Sequence, residues 1–249
     1  MDLELQGRRA FVTGAAGQIG RAVVRFLRYE GCYVAGADLA GPPELHGPDM
    51  WLTADVRDEG SVREAVAAAR ERFGGLDLVV GCAGVSGPKG ATVPNIEFDD
   101  WAQTLAVNLT GQFLLAKHTL PLLREAALAD RAPAIVFVSS DAALVAVPDT
   151  AAYCASHGGL LMLTKALAVD HGQEGIRINC VAPSPVSQPV THRGIGPKDG
   201  DEPERPYPTH SPADIARSVV LLASPLTATV NGTAFVMDFG GLALSSFEG

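Results

Sequence analysis

Short apolar or β-branched runs alternate along this 249-residue chain with longer segments whose apolar positions recur at helical spacing. RRAFVTG, CYVAGAD, MWLTADV, LDLVVGCAG, APAIVFVSS, IRINCVAP and TAFVMDFGG predict strands. Between them GQIGRAVVRFLRYEG predicts a helix closing on Gly31, and GSVREAVAAARERFGG an amphipathic helix with Ser61 as its cap and glycines at its end. A long helical stretch runs from Asp99 to Leu128, another surrounds Tyr153, and SPADIARSVVLLAS opens on Ser211 with Pro212 at its first position. Strand–helix alternation with nearly continuous apolar strands predicts an α/β fold: a doubly wound parallel sheet flanked by helices on both faces. Its ligand site is expected at the carboxyl ends of the strands. The pattern shows neither an internal repeat nor an interdomain linker, so residues 1–249 are expected to form a single domain. Ser184 to His210, rich in Pro, Gly and charge, breaks the alternation, and a lid on the substrate side is expected over about residues 184–211.

Composition narrows the classes of function. Hydrophobic residues make up 47% of the chain, enough for a well-buried core, and the formal net charge is −9. That balance speaks against a nucleic-acid or anionic-membrane partner, which requires basic patches. No apolar run reaches 18 residues, and MDLELQGRRA has no apolar core of a signal peptide, so a cytoplasmic protein is expected. Cys32, Cys82, Cys154 and Cys180 form no CxxC pair and are read as reduced thiols. The histidines show no HxxxH or HxH spacing, so no metal site is expected.

Candidate chemistry begins at TGAAGQIG, Thr13 to Gly20, which follows a predicted strand and opens a helix. Glycines there let the backbone turn tightly and approach a pyrophosphate at a helix N-terminus. Asp38 ends the second strand, where a carboxylate can accept the ribose hydroxyls of NAD and would repel a 2′-phosphate. Leu39 next to it offers no cation, so NAD is favoured over NADP. Further on, YCASH places Tyr153 and His157 on one face of a helix, because four steps of about 100° overshoot a turn by only about 40°. A tyrosine with a cation one turn on can transfer protons. A serine-hydrolase triad at Ser139 or Ser140 lacks the GxSxG elbow and is set aside.

With these motifs the chain resembles, from end to end, the short-chain dehydrogenase/reductase family, a Rossmann-type set of NAD(P)-dependent oxidoreductases. TGAAGQIG matches the cofactor loop, with Gly14, Gly17, Gln18, Ile19 and Gly20 as its contacts, and ADV with Asp55 and Val56 matches the adenine contact. GCAG, with Ala83 and Gly84, stands at the NNAG position, and VNLTG carries Asn108. VSS places Ser140 thirteen residues before Tyr153, and VAPSPV with Gln188 matches the segment beside the nicotinamide through Pro183, Ser184, Val186 and Gln188. The resemblance implies that Ser140 holds the substrate oxygen, Tyr153 transfers its proton, and Asn108 kinks its helix and fixes a water relay. The substrate would be a small secondary alcohol or ketone, and the assembly a homotetramer or homodimer.

Departures from the family pattern cluster at the nicotinamide side. His157 occupies the lysine position, Gly81 replaces an asparagine, and Ser184 and Gln188 replace a glycine and a threonine. Gln18 replaces the second glycine of the loop. A free tyrosine has a pKa near 10, so about one in a thousand is ionised at pH 7, and losing two units of tuning would slow a tyrosinate-dependent step about a hundredfold. The leading expectation is an NAD-dependent oxidoreductase with an atypical Ser140–Tyr153–His157 set. The alternatives are a nucleotide-binding relative without redox work, serving as a structural or regulatory partner, and a non-redox enzyme on the same scaffold.

Overall fold

A computed structural model describes residues 2–42, 47–186 and 208–243. Seven strands form one parallel sheet in the order β3-β2-β1-β4-β5-β6-β7. They are β1 Arg9–Thr13, β2 Tyr33–Asp38, β3 Met50–Thr53, β4 Leu78–Gly81, β5 Ala134–Val138, β6 Arg177–Pro183 and β7 Ala234–Met237. The chain order reverses between β1 and β4, which pair from Ala10–Leu78 to Thr13–Gly81. Such a switch point leaves a crevice at the carboxyl edge.

Successive residues of a strand face opposite sides of the sheet, and β1 shows the result. Phe11 packs into the core beneath α2 (Glu59–Phe73), α4 (Gly111–Leu128) and α5 (Ala151–His171). Ala10 and Val12 pack into a second core beneath α1 (Gln18–Tyr29) and α6 (Pro212–Ala223). Both faces are covered, which is why the strands read as apolar runs and not as alternating ones.

One local expectation needs correction. The cap of α2 is Asp58, whose carboxylate accepts the Ser61 N–H at 2.7 Å. Ser61 lies one turn inside, and its hydroxyl accepts the Asp55 N–H at 3.0 Å. A carboxylate at the first non-helical position is the stronger acceptor and also meets the positive helix end. The stretch from Asp99 to Leu128 is helical throughout, α3 (Phe98–Leu105) passing into α4 through a π-helical turn, Ala106–Thr110, centred on Asn108, the position at which the resemblance implies a kink. The start of α6 agrees with expectation, Ser211 and Asp214 forming a reciprocal capping box with Pro212 in the first turn.

The amino ends of the strands are tied by Asp77, fully buried and bonded by the Arg9 and Arg131 guanidiniums. Burial opposes its charge, but the two arginines outweigh that and hold its pKa below the usual carboxylate range. This network lies at the opposite edge from the crevice and anchors the strands whose other ends carry the site.

Candidate active site

The glycine loop is built by close approach. Gly14 has φ +66°, and a Cβ there would meet the Ala83 nitrogen at 2.6 Å. A Cβ on Gly20 would meet the Gly14 carbonyl oxygen at 2.1 Å, so these two positions admit only glycine without backbone movement. Gly17 is the cap residue of α1, and a Cβ on it would lie 3.2 Å from the same carbonyl. Among the described residues no side chain caps α1, and no acidic residue stands in its first turn, unlike α2 and α6. Its first amides therefore remain available to an anion, and Gln18 and Ile19 stand on that turn.

Asp38 reaches the loop from the end of β2. One carboxylate oxygen accepts the Ala16 N–H at 2.9 Å and the other the Ala40 N–H at 3.0 Å, so the acidic group is fixed beside the glycine turn. Asp55 lies past β3, where its carboxylate is paired with Arg57 at 2.7 Å, which lowers its pKa. Val56 packs against Gly111 at the start of α4.

Past β4, Ala83 and Gly84 run over α4. Gly81 has a partner that its place in the sequence does not betray: a Cβ there would lie 2.0 Å from Gln112 Oε1 and 2.8 Å from Phe137 Cδ1. The Gln112 carboxamide thus fills the space of a side chain at position 81, and its Nε2 donates to the Ala83 carbonyl at 2.8 Å. Asn108, 1% exposed, pairs with both main-chain groups of Val85: Nδ2 donates to its carbonyl at 2.9 Å, and Oδ1 accepts its N–H at 2.8 Å. Nδ2 also donates to Ser156 Oγ at 3.0 Å, linking the β4 loop to α5. Asn108 is the buried residue of the π-helical turn.

The reacting groups converge from β5 and α5. Ser140 follows β5, its Oγ accepting the Ala142 N–H at 3.2 Å and donating to Asp141 Oδ1 at 3.0 Å. His157 packs edge-on against Tyr153, and its Nδ1 lies 3.3 Å from Ser139 Oγ. Burial pushes the Tyr153 pKa up; the neighbouring Ser140 hydroxyl works the other way without offsetting it, and the Asp141 charge adds to the rise. Burial pushes His157 down to about 4. Both rings are therefore neutral at pH 7. Lys165 is exposed on the outer face of α5 and supplies no charge here.

A cleft of about 550 Å³ lies between these elements. Of the residues expected at the site, Ile19, Gly84, Ser140, Tyr153, His157, Pro183, Ser184 and Val186 line it. Gly14, Gly17, Gln18, Gly20, Asp38, Asp55, Val56, Ala83 and Asn108 stand outside that lining, on the glycine-loop side or behind it. Gln188 and most of the expected lid lie outside the described residues, whose nearest parts are joined where Val186 pairs with His210. Among the described residues Ser184 Oγ is buried without a hydrogen-bond partner, a hydroxyl in the cleft wall suited to a ligand's polar group. The uncapped α1 turn, the glycine cradle and this hydroxyl fit a dinucleotide. Cys82 lines the cleft as well, but burial raises its thiol to about 12, so it is no nucleophile at neutral pH.

Asp141 and Gln112 are not singled out by the sequence, and Ser139 enters it only as a triad serine that is set aside. For Ser139 and Asp141 the available signal was adjacency to Ser140; for Gln112 it was the glycine at position 81, an empty place that some other side chain had to fill.

Among the described residues, no helix is long and apolar enough to cross a membrane, and no group of three or more His, Cys, Asp or Glu side chains could hold a metal ion. A family model described as enoyl-(acyl carrier protein) reductase matches residues 14–242. The chain is 35% identical to a D-threitol dehydrogenase of Mycolicibacterium smegmatis over 251 residues, covering 96% of this chain and 94% of that one. It is 36% identical to a 2-(R)-hydroxypropyl-CoM dehydrogenase of Xanthobacter autotrophicus, covering 93% and 97%. Among solved structures, 3-ketoacyl-(acyl-carrier-protein) reductase from Brucella melitensis complexed with NADH is similar with a TM-score of 0.84, at 25% identity over 97% of this chain and 100% of that one.

Proposed function

We propose that this chain, which belongs to the short-chain dehydrogenase/reductase family and is an oxidoreductase using a nicotinamide cofactor, is specific for NAD(H) and interconverts a small secondary alcohol and its ketone. The observation that carries the reading is the convergence of Ser140, Tyr153 and His157 on one cleft beside the uncapped start of α1. Dehydrogenases acting on D-threitol and on a hydroxypropyl group stand among its relatives, which supports a secondary alcohol as substrate.

Gly14, Gly17 and Gly20 would admit the pyrophosphate to the α1 amides, with Gln18 and Ile19 beside it. Asp38 would accept the adenosine ribose hydroxyls and exclude a 2′-phosphate, and Asp55 and Val56 would flank the adenine. Ala83, Gly84, Pro183, Ser184, Val186 and Gln188 would border the nicotinamide half. When bound, the nicotinamide ring supplies or accepts the hydride.

Ser140 would orient the substrate oxygen, and Asn108 would hold the Val85 loop and α5 in register. With its phenol protonated, Tyr153 is poised to give a proton to a ketone oxygen; the reverse direction requires the phenolate, which burial disfavours. A neutral His157 can hydrogen-bond but provides no charge to favour that phenolate. The site therefore suits reduction at neutral pH and oxidation at alkaline pH. A homotetramer or homodimer, placed in the cytoplasm, belongs to the same reading.

Calorimetric titration with NADH and NADPH tests it. Micromolar NADH binding with much weaker NADPH binding is expected. Failure of both to bind would remove redox chemistry and leave a non-redox use of Ser140 and Tyr153.

A further inference from the structure

Ser139 has no part in the function proposed above, yet its hydroxyl meets the one ring that departs from the family pattern. Both side chains are buried, Ser139 being 4% and His157 5% exposed, and Oγ lies 3.3 Å from Nδ1. Ser139 stands just past β5, its N–H donating to the Val181 carbonyl at 2.8 Å, so the hydroxyl projects from a rigid edge of the sheet. A serine hydroxyl carries one proton, and a buried hydroxyl gives that proton to an acceptor. Among the described residues the one hydrogen-bond partner of Ser139 Oγ is His157 Nδ1.

A hydroxyl that donates to Nδ1 needs a lone pair on that nitrogen. The proton of a neutral imidazole then sits on the other nitrogen, Nε2. His157 lines the cleft, and no described protein group bonds its Nε2. No carboxylate backs the ring among its described hydrogen bonds, so the pair is not an activated serine nucleophile.

We infer that Ser139 is a positioning residue that holds His157 in the Nε2–H tautomer, so that the ring presents a single fixed donor to a ribose hydroxyl of the bound dinucleotide. The inference about the ribose rests on the NAD(H) reading; the tautomer does not. A neutral histidine at the lysine position thereby keeps a hydrogen-bond donor without a charge.

Nitrogen-15 NMR of histidine-labelled protein without cofactor tests the tautomer, the His157→Gln spectrum identifying the signal. At pH 7 the wild type is expected to show a neutral ring protonated at Nε2. Ser139→Ala is expected to lose that preference and to weaken NADH binding about two- to tenfold, the size of one lost hydrogen bond. Ser139→Thr, which keeps the hydroxyl, is expected to restore both. A wild-type imidazolium, an Nδ1–H tautomer, or a Ser139→Ala spectrum identical to wild type would overturn the inference. A tautomer that shifts while NADH affinity stays constant would overturn its ribose part. If the wild type bound no NADH at all, the proposed function would fail, while the spectra would still decide the role of Ser139.

Discussion

The His157 ring stands at 65° to the Tyr153 ring with centroids 4.3 Å apart, so the edge of one imidazole lies against the phenol that carries the proton. An ammonium in that position would stabilise the phenolate; a neutral imidazole does not. An opposite charge within about 4–6 Å moves a pKa by about 1–3 units. His157→Lys is therefore expected to shift the alkaline rise of alcohol oxidation down by about 1–2 pH units and to raise the rate at pH 8 about ten- to a hundredfold. Steady-state pH profiles of both proteins measure this. An unchanged profile would show that Tyr153 ionisation does not limit the reaction.

Burial of the same ring makes stability depend on pH. His157 titrates at about 4 in the folded protein and at its ordinary value of 6.5 when unfolded. The unfolded chain thus binds the proton first, so stability is complete above 6.5 and is lost as pH falls from 6.5 towards 4. The loss amounts to about 2 kcal/mol between pH 7 and pH 5. Urea unfolding of wild type and His157→Gln at the two pH values should show a steeper fall in the wild type by about that amount. Parallel curves would mean that the ring protonates freely in the native state.

Gly81 and Gln112 share one volume, so they should be energetically coupled. Gly81→Asn in the wild-type background forces Gln112 and Phe137 aside and is expected to cost about 1–3 kcal/mol. Adding Gln112→Ala should recover about 1 kcal/mol of that, measured as the interaction term of a double-mutant cycle. Additive effects would contradict the shared space.

Asp38 holds the Ala16 amide and is assigned the choice between NADH and NADPH. Asp38→Asn keeps the shape but removes the charge, and the preference for NADH is expected to fall at least about tenfold. The ratio of the two binding constants decides; an unchanged ratio would move the selectivity elsewhere.

Much of this arrangement was legible in the chain itself. The seven strands, the glycine turn and the Ser211 cap follow from local pattern, because each depends on residues within one turn or one strand. The α2 cap was misplaced by one turn because Asp58 and Ser61 are both good acceptors, and only the backbone shows which lies outside the helix. The π-helical turn is hidden from hydrophobic periodicity, which a single widened turn barely disturbs, and only the family resemblance implies a kink at Asn108. Gln112 behind Gly81 and Ser139 beside His157 are contacts between residues far apart in sequence, and no spacing rule reports them. The lid segment was visible only as a break in pattern, and Gln188 falls with it outside the described residues.

In the proposed reaction Tyr153 passes a proton to a ketone while NADH is oxidised. The most direct measurement is the rate of NADH oxidation with a panel of small hydroxyketones, wild type against Tyr153→Phe, with NADH affinity measured in parallel. Turnover is expected in the wild type, with a loss of about a hundred- to ten-thousandfold in the variant and similar NADH affinity in both. Equal turnover in the two proteins would contradict it.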